Sequence, residues 1–496
     1  MPDLAVLTWF AATLLVWRPV GTQEMSAVTT QPPFDRRIGT IGAVAIAGVL
    51  VLLIDPVGLI ALSVALVLVW CGWREPAIGV GIVAATIPVQ ERLVVALGPA
   101  ELTVTQLTVL PLIGGWGASW LCGRIRVPLT PTIVAWGLIT AAMALSIVNA
   151  VDRGAWAKET YRWAIALALL AVASSAIQRF ADAIPVLIGL SIGIVVSASV
   201  GFWQVITDTG PPSFSSGGLM RAYAWFGEPN PFAAYLEMSV LLLAPITILL
   251  LTNKDEKLLF RVSLPVVVTV GIVALLLTQS RGGMLGFAAG GAVIAFWYAR
   301  WSRIVLLAGV LIALPVVLLT APGQDALDRF TSSVATVQID EQTTTDNWSV
   351  HERIAHWRAG VAMFESEPLI GIGAGNFDAR YREYTEIWRF RIPRGHAHNS
   401  PIQVAAQTGV IGLIPYLALF FVAGARIARG VSQSRCARSR ALALGALGVL
   451  ISVAVHGQFD YLHGLSLNLS FVIALAMAEP ALRGLHSHLT QTGATT

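Results

Sequence analysis

The segment Gly395–Ser400 reads Gly-His-Ala-His-Asn-Ser and combines side chains that can take part in proton transfer. A histidine is close to neutral at physiological pH, so His398 can accept a proton from a hydroxyl group. Asn399 or the following Gln403 can orient that histidine or its substrate. The alternative is that His398 and Asn399 only cap the next helix. His396 and His398 have poor spacing for a metal site, because no Cys or acidic residue accompanies them, and we expect no metal.

Two arginines lie in short segments between apolar stretches. Arg281 is followed by two glycines, and an arginine beside glycine backbone is suited to binding a phosphate group. Arg221 lies close in sequence to Glu228, a possible ion-pair partner, and to Asn230, near the start of the next helix. Alternatively, Arg281 is an interfacial anchor that extends to water, and the aromatic residues after Arg221 form an ordinary membrane-interface belt.

A hydrophilic insertion at residues 321–399 contains nineteen Asp, Glu and Arg residues but no Lys. Most of these charges are expected to be solvated or paired with one another. We select Arg353 and Arg358 as supporting residues that help to hold an anionic substrate, together with His396. Ile354, Trp357, Val361 and Phe364 recur at helical spacing on one face, which predicts a helix that ends before Pro368.

The composition of the whole chain limits the class of protein. Of 496 residues, 56% are hydrophobic and only 12% are charged, and the mean hydropathy is +0.72. Because soluble domains carry about 25% charged residues, this composition excludes a soluble enzyme, a disordered chain and a disulfide-rich secreted module. The small net charge of +4 gives no indication of a nucleic-acid partner. We predict an all-α polytopic protein embedded in the lipid bilayer.

Hydropathy predicts about 12–14 transmembrane helices and one large, partly helical extracytoplasmic loop. The domains are an N-terminal interfacial segment or weak span at 1–37, transmembrane helices at 38–320, the loop at 321–399, transmembrane helices at 400–478, and a cytoplasmic tail at 479–496. The fourteen candidate spans are 38–54, 57–72, 76–97, 101–122, 128–149, 162–178, 183–207, 229–252, 262–278, 283–299, 303–320, 400–425, 441–457 and 462–478.

The distribution of Lys and Arg predicts the orientation of these spans. Most basic residues of the short loops fall in alternate loops, which are cytoplasmic by the positive-inside rule. Arg221, Arg281 and His398 then face the periplasm or the cell exterior from the cytoplasmic (inner) membrane. Polar residues near the outer span ends include Glu237, Gln407, His456, Asp460 and His463. Transporters instead place substrate groups near the midplane, where no charged residue is predicted, so the pattern favours chemistry at the outer surface.

Several segments in combination resemble the O-antigen ligase and O-antigen polymerase superfamily. Ser280–Gly283 is similar to the arginine turn of that family, and Pro368–Phe377 to its glycine-rich stretch. His398–Gln403 is similar to its histidine–asparagine motif, and Glu228–Asn230 to its proline–asparagine helix start. The resemblance is strong over residues 220–425.

The resemblance implies a metal-independent, inverting glycosyltransferase with no cofactor, acting on an undecaprenyl-diphosphate-linked glycan. It implies that His398 is the base or the acceptor-orienting residue and that Arg221 and Arg281 bind the diphosphate. The acceptor would be a second glycan, the lipid A-core of lipopolysaccharide, or a protein, and the motifs do not separate a ligase from a polymerase. The alternatives are a transporter or flippase for an anionic or lipid-linked solute, and a scaffold subunit of a polysaccharide complex.

Overall fold

The computed structural model describes residues 56–90, 92, 94–97, 100–216, 218–319, 348–385 and 387–483. The chain divides after residue 60 into two units, and the site described below lies in the second, residues 61–496. The predicted N-terminal segment, the predicted span at 38–54, residues 321–347 of the insertion and residues 484–496 of the predicted tail lie outside the described residues.

The described residues form fifteen α-helices and two short antiparallel hairpins, which confirms the prediction of an all-α protein. The helices are α1 (Pro56–Arg74), α2 (Pro76–Thr86), α3 (Val104–Leu121), α4 (Pro131–Leu145), α5 (Arg153–Ala176), α6 (Phe180–Ile206), α7 (Pro229–Thr252), α8 (Leu258–Leu277), α9 (Arg281–Tyr298), α10 (Arg300–Leu319), α11 (Trp348–Ser366), α12 (Phe377–Tyr384), α13 (Ser400–Gln433), α14 (Ala437–His456) and α15 (Leu465–Ala476). The hairpins pair β1 (Val94–Leu97) with β2 (Ala100–Thr103), and β3 (Ser215–Ser216) with β4 (Leu219–Met220).

Within the described residues, six helical segments are long and apolar enough to cross a membrane. They are Pro131–Asn149, Phe180–Ile206, Pro229–Thr252, Leu258–Leu277, Ser400–Gln433 and Ala437–His456. Ile60–Arg74 and Pro76–Val89 are shorter apolar helical segments. The structure is therefore that of a polytopic membrane protein.

The segment predicted as a single span at 76–97 differs from that prediction. Its helix ends at Thr86, a 3₁₀ turn follows at Ile87–Val89, and residues 94–97 belong to β1. A Gly-Pro pair at positions 98–99 separates β1 from β2 in the sequence, and such a pair is a strong turn signal.

Local sequence explains where the helices that carry the site begin. Asp152 caps α5 by accepting the amide of Ala155, and Ser280 caps α9 by accepting the amide of Gly283. An oxygen side chain at this position satisfies an amide that the helix itself leaves unpaired. Pro229 occupies the first position of α7, where a missing N–H costs nothing.

Helices α9 and α14 pack closely through small residues. A Cβ atom on Gly290 would lie 2.5 Å from the carbonyl oxygen of Gly448, so neither helix has room for a side chain at this crossing. Glycines allow membrane helices to approach in this way. The contact brings the beginning of α9, at Arg281, beside the end of α14, at His456.

Helix α13 is broken at Gly409, which has φ 59° and ψ −157°. The glycine-rich stretch that begins at Pro368 supplies the hydrogen bonds that the break leaves open. The amide of Val410 donates to the carbonyl of Pro368 at 2.8 Å, and the amide of Ile372 donates to the carbonyl of Ala406 at 2.9 Å. The insertion is thereby fixed to the helix that follows His398.

The predicted helix of the insertion is confirmed as α11, and the face that it buries is not the one that carries the four apolar residues. Val361 is 42% exposed, and Ile354, Trp357 and Phe364 are only partly buried. The helix instead buries a face of mostly small residues and histidines, namely His351, Ala355, His356, Ala359, Gly360 and Met363. Small residues allow α11 to lie close to its neighbours, and a Cβ atom on Gly360 would meet Ile402 of α13 at 2.5 Å.

A short helical segment at residues 479–483 follows α15 in the region predicted to be a polar tail. Glu479, at which that tail was predicted to begin, is buried and accepts two hydrogen bonds from the guanidinium of Arg426, at 2.9 and 2.8 Å. This fork geometry is the strong form of an arginine–carboxylate pair.

Candidate active site

The imidazole of His398 faces a carboxylate from a distant part of the chain. Its Nδ1 atom lies 3.4 Å from Oδ1 of Asp460, which belongs to the turn between α14 and α15. His398 has a left-handed backbone with φ 51°, and its carbonyl accepts a hydrogen bond from the indole of Trp357 at 3.1 Å. Both side chains are mostly buried, with exposed fractions of 15% for His398 and 8% for Asp460.

The residues after His398 hold it against this turn. The side chain of Asn399 caps α13 by accepting the amide of Ile402, and its amide group donates to the carbonyl of Gln458 at 3.0 Å. The hydroxyl of Ser400 donates to the carbonyl of Asp460, also at 3.0 Å. The capping role that we considered for both residues is thus taken by Asn399, which leaves the His398 ring free to face Asp460.

Gln403 also supports the histidine segment. Its side-chain oxygen accepts the amide of Ala397 at 2.7 Å, and the residue is buried. The structure therefore places Asn399 and Gln403 as supports of the loop that carries His398.

His396 lies beside both members of the pair. Its Nε2 atom is 3.8 Å from Oδ1 of Asp460, and its Nδ1 atom accepts the backbone amide of His398 at 3.1 Å. Burial lowers the pKa of His396 to about 4, against the opposing effect of the Asp460 charge. Burial alone would raise the pKa of Asp460, but the contact with His398 and the charge of His396 outweigh it and keep the pKa well below its usual range.

His396, His398 and Asp460 are also residue types that can bind a metal ion. Ligand atoms of His396, His398 and Asp460 lie within 4.8 Å of one another, so Asp460 is the acidic companion that the sequence pattern lacked. A metal-bound histidine, however, donates a hydrogen bond from its second ring nitrogen. Nδ1 of His396 accepts one instead, so its neutral ring carries the proton on Nε2, toward Asp460. At 3.8 Å the contact with Asp460 is electrostatic, and the accepting Nδ1 of His396 fits a metal ligand poorly.

Arg281 is the first residue of α9 and is exposed. The next residue, Gly282, packs on the turn that carries Asp460, since a Cβ atom there would lie 2.8 Å from the ring of His456 and 3.4 Å from Phe459. A helix N-terminus carries partial positive charge. The positive charge of Arg281 is therefore unfavourable beside the N-terminus of α9 unless an anion binds next to both.

Arg221 lies against the turn that precedes Arg281. Its Nε atom donates to the carbonyl of Thr278 at 2.8 Å, and its Nη2 atom donates to Oδ1 of Asn230 at 3.3 Å. Burial lowers the pKa of Arg221, and the nearby charges of Arg353 and Arg281 lower it further, whereas Glu228 acts in the opposite direction.

Arg353 joins this group from the insertion, but Arg358 does not. The Nε atom of Arg353 donates to the carbonyl of Phe459, next to Asp460, at 3.2 Å. Its charge acts on both Arg221 and His396. Arg358 instead lines a cavity between α11 and the end of α12, beside Tyr384.

A second carboxylate–imidazole pair lies beneath the arginine turn. Oε1 of Glu237 and Nδ1 of His456 are 2.9 Å apart, and the two side chains are 0% and 1% exposed. In the sequence, Glu237, His456 and Asp460 are recognisable only as polar residues near span ends. The available signal for this part of the site was a pair of polar residues where one apolar segment ends and the next has not begun. They are His456 and Asp460, four positions apart.

The fold and this geometry define a polytopic membrane protein whose polar site is formed at helix ends. Residues 266–417 match the sequence model of a family described as O-antigen ligase. The matched residues contain Arg281 and His398, and the match supports the resemblance that the motifs indicated. No curated protein matches the chain. Arg221 and Asp460 lie outside the matched residues and are brought to them by the fold.

Proposed function

We propose that this protein transfers or polymerises an undecaprenyl-diphosphate-linked glycan at the outer face of the cytoplasmic membrane. The observation that carries the proposal is that the His398–Asp460 pair and Arg353 meet at one turn, Gly457–Asp460, with Arg281 and Arg221 close to it. Arg353 binds that turn through Phe459, Gly282 beside Arg281 packs on it, and Arg221 lies close enough for the charges of the other two to act on it.

The arginines are suited to a lipid diphosphate. Arg221, Arg281 and Arg353 carry three positive charges close together. Burial and the charges of Arg353 and Arg281 already disfavour the charged form of Arg221. A diphosphate would relieve that repulsion and would also meet the N-terminus of α9. Donors and charges that are already in place stabilise the charge that develops on a leaving group. The arginines thus supply a stabilisation that other transferases take from a metal ion.

The acceptor hydroxyl requires a base, and His398 is the proposed one. The acceptor oxygen forms a bond to the anomeric carbon while the bond from that carbon to the diphosphate oxygen breaks. The bonding electrons leave with undecaprenyl diphosphate, and the hydroxyl proton passes to Nε2 of His398. Asp460 orients the ring and stabilises the resulting imidazolium. A single displacement of this kind inverts the anomeric configuration.

The proposed acceptor is a glycan, a lipid A-core or a protein, and the proposed orientation places the site toward the periplasm or the cell exterior. The positive-inside distribution of the short loops supports this orientation. Arg358 lines a cavity between α11 and the end of α12, apart from the other three arginines, so we do not assign it to the diphosphate.

The proposal is tested with purified protein in proteoliposomes and an undecaprenyl-diphosphate-linked glycan donor. We expect glycan transfer by the wild type, and a loss of about 10²–10⁴-fold in His398→Ala. Arg382→Ala is the matched control for Arg281→Ala, because Arg382 is an exposed arginine of α12 away from the turn. Full transfer by both His398→Ala and Arg281→Ala would refute the mechanism. Uptake of a labelled solute without transfer would indicate a transporter instead.

A further inference from the structure

The pair formed by Glu237 and His456 connects the three helices that carry the site. Glu237 lies in α7, and the beginning of that helix supplies Asn230, the hydrogen-bond partner of Arg221. His456 ends α14, and its carbonyl accepts the amides of Phe459 and Asp460 at 2.9 and 3.2 Å. The pair therefore lies between the arginine side of the site and the Asp460 side.

Helix α9 is shaped to receive this pair. Gly282 and Gly286 follow Arg281 on the face that meets it. A Cβ atom on Gly282 would lie 2.8 Å from Cδ2 of His456, and one on Gly286 would lie 2.8 Å from Oε2 of Glu237. The first two turns of α9, and with them Arg281, are thus seated directly on the pair.

The stability of the fold does not explain why polar groups lie here. Both side chains are fully buried, and Oε2 of Glu237 has no hydrogen-bond partner among the described residues. Burial of charged groups is costly, and replacing a buried ion pair with apolar residues is often neutral or stabilising. A buried polar pair that is costly to desolvate and meets the three helices of the site indicates a role in the site.

We infer that Glu237 and His456 are positioning residues that hold Arg281, the anchor of Arg221 and the Asp460 turn in register for the lipid-diphosphate donor. This inference rests on the proposed function. The directional hydrogen bond fixes the rotation of α7 and α14 relative to each other, and the two glycines fix α9 on both. Apolar side chains of similar volume would fill the same space without fixing that geometry.

The test compares stability with donor kinetics in the apolar double variant Glu237→Leu/His456→Leu. We expect its melting temperature to stay at or above that of the wild type, while kcat/KM for the donor falls about tenfold or more, chiefly through KM. The single variant Glu237→Gln retains a hydrogen-bond partner for His456, so we expect it to recover part of the loss.

Tyr416→Phe is the matched control. It removes another buried hydrogen bond to a histidine, the 3.0 Å contact between the Tyr416 hydroxyl and His463. We expect it to lower the melting temperature and to leave donor KM unchanged.

Three outcomes separate the possible failures. A stable double variant with wild-type donor kinetics would overturn the positioning role and leave the proposed function intact. If the double variant does not fold, Glu237→Ala decides the question, because it removes the hydrogen bond to His456 and wild-type donor KM in that variant would also overturn the role. If the wild type transfers no glycan, binding of undecaprenyl diphosphate is measured instead, and equal binding by wild type and Glu237→Ala would overturn the inference.

Discussion

The Nδ1 atom of His398 lies 3.4 Å from a carboxylate oxygen of Asp460, although the two residues belong to different interhelical segments. Hydrogen bonds from Asn399 and Ser400 to the Asp460 turn fix this relationship through the backbone. The pair therefore does not depend on a flexible side-chain encounter. The carboxylate is therefore placed to orient the second ring nitrogen of the proposed base.

The first prediction concerns that carboxylate. Asp460→Asn keeps the shape of the side chain but removes its charge, so the imidazolium of His398 loses its counter-charge. We expect kcat for glycan transfer to fall by about 10²–10⁴-fold, with a much smaller change in donor KM. Steady-state kinetics on reconstituted protein measure both. An unchanged kcat would show that Asp460 does not act through His398.

The second prediction separates charge from geometry at Arg281. Arg281→Lys keeps a positive charge at the start of α9 but cannot bind a phosphate through two parallel hydrogen bonds. We therefore expect a donor kcat/KM between those of the wild type and Arg281→Ala, with losses that grow as salt concentration rises. Equal activity of Arg281→Lys and Arg281→Ala would mean that the charge itself contributes nothing.

Much of the fold was predictable because its signals are local. The lengths of the apolar runs predicted the helices, and Pro368 predicted the approximate end of α11. The face that α11 buries was not predictable from apolar spacing, since its partners are the ring of Tyr381, 4.6 Å from that of His356, and the nearby α13. Such contacts depend on tertiary packing, which overrides a local pattern.

The candidate site was predictable to a similar degree. Arg221, Arg281 and His398 stand in short segments with distinctive neighbours, so their types and spacing were informative. Asp460 stands far from His398 in sequence, and only the hydrogen bonds between the two interhelical segments bring them together. Glu237 looked like one more polar residue near a span end, because its partner His456 comes from another helix.

The third prediction concerns the break in α13. Gly409 has φ 59° and ψ −157°, a region that costs residues other than glycine about 1–3 kcal/mol. An added Cβ atom would also lie 2.3 Å from the carbonyl carbon of Leu369. We expect Gly409→Ala to lower the melting temperature and to release the glycine-rich stretch, seen as faster hydrogen exchange over residues 368–377. Gly291→Ala is the control, because a Cβ atom on Gly291 meets nothing within 4 Å.

The fourth prediction concerns Asn376 at the junction of the insertion with α5. Its Oδ1 atom accepts the amide of Asp152 at 2.6 Å, and its amide group donates to the carbonyls of Asp152 and Ala374. Asn376→Ala leaves these groups unpaired, at a cost of about 1–3 kcal/mol per buried group. We expect a lower melting temperature and a reduced kcat, because the insertion also carries Arg353. A variant as stable as the wild type would contradict the role of this contact.

The fifth prediction is a pH dependence of stability at His356. Burial lowers the pKa of His356, the charges of His398 and Arg394 lower it further, and the hydrogen bond to the Glu352 carbonyl and the Glu352 charge oppose the shift. The unfolded chain, with a histidine pKa of about 6.5, therefore binds more protons than the folded one as pH falls below that value. The contribution of neutral His356 to the stability of the fold is fully present above about pH 6.5 and is lost as the pH falls below that value. His356→Phe keeps a ring beside Tyr381 but cannot titrate, so its melting temperature should fall less between about pH 7.5 and 5.5. Because His396 and His463 remain in both proteins, only the difference between the two slopes reports on His356, and equal slopes would contradict the prediction.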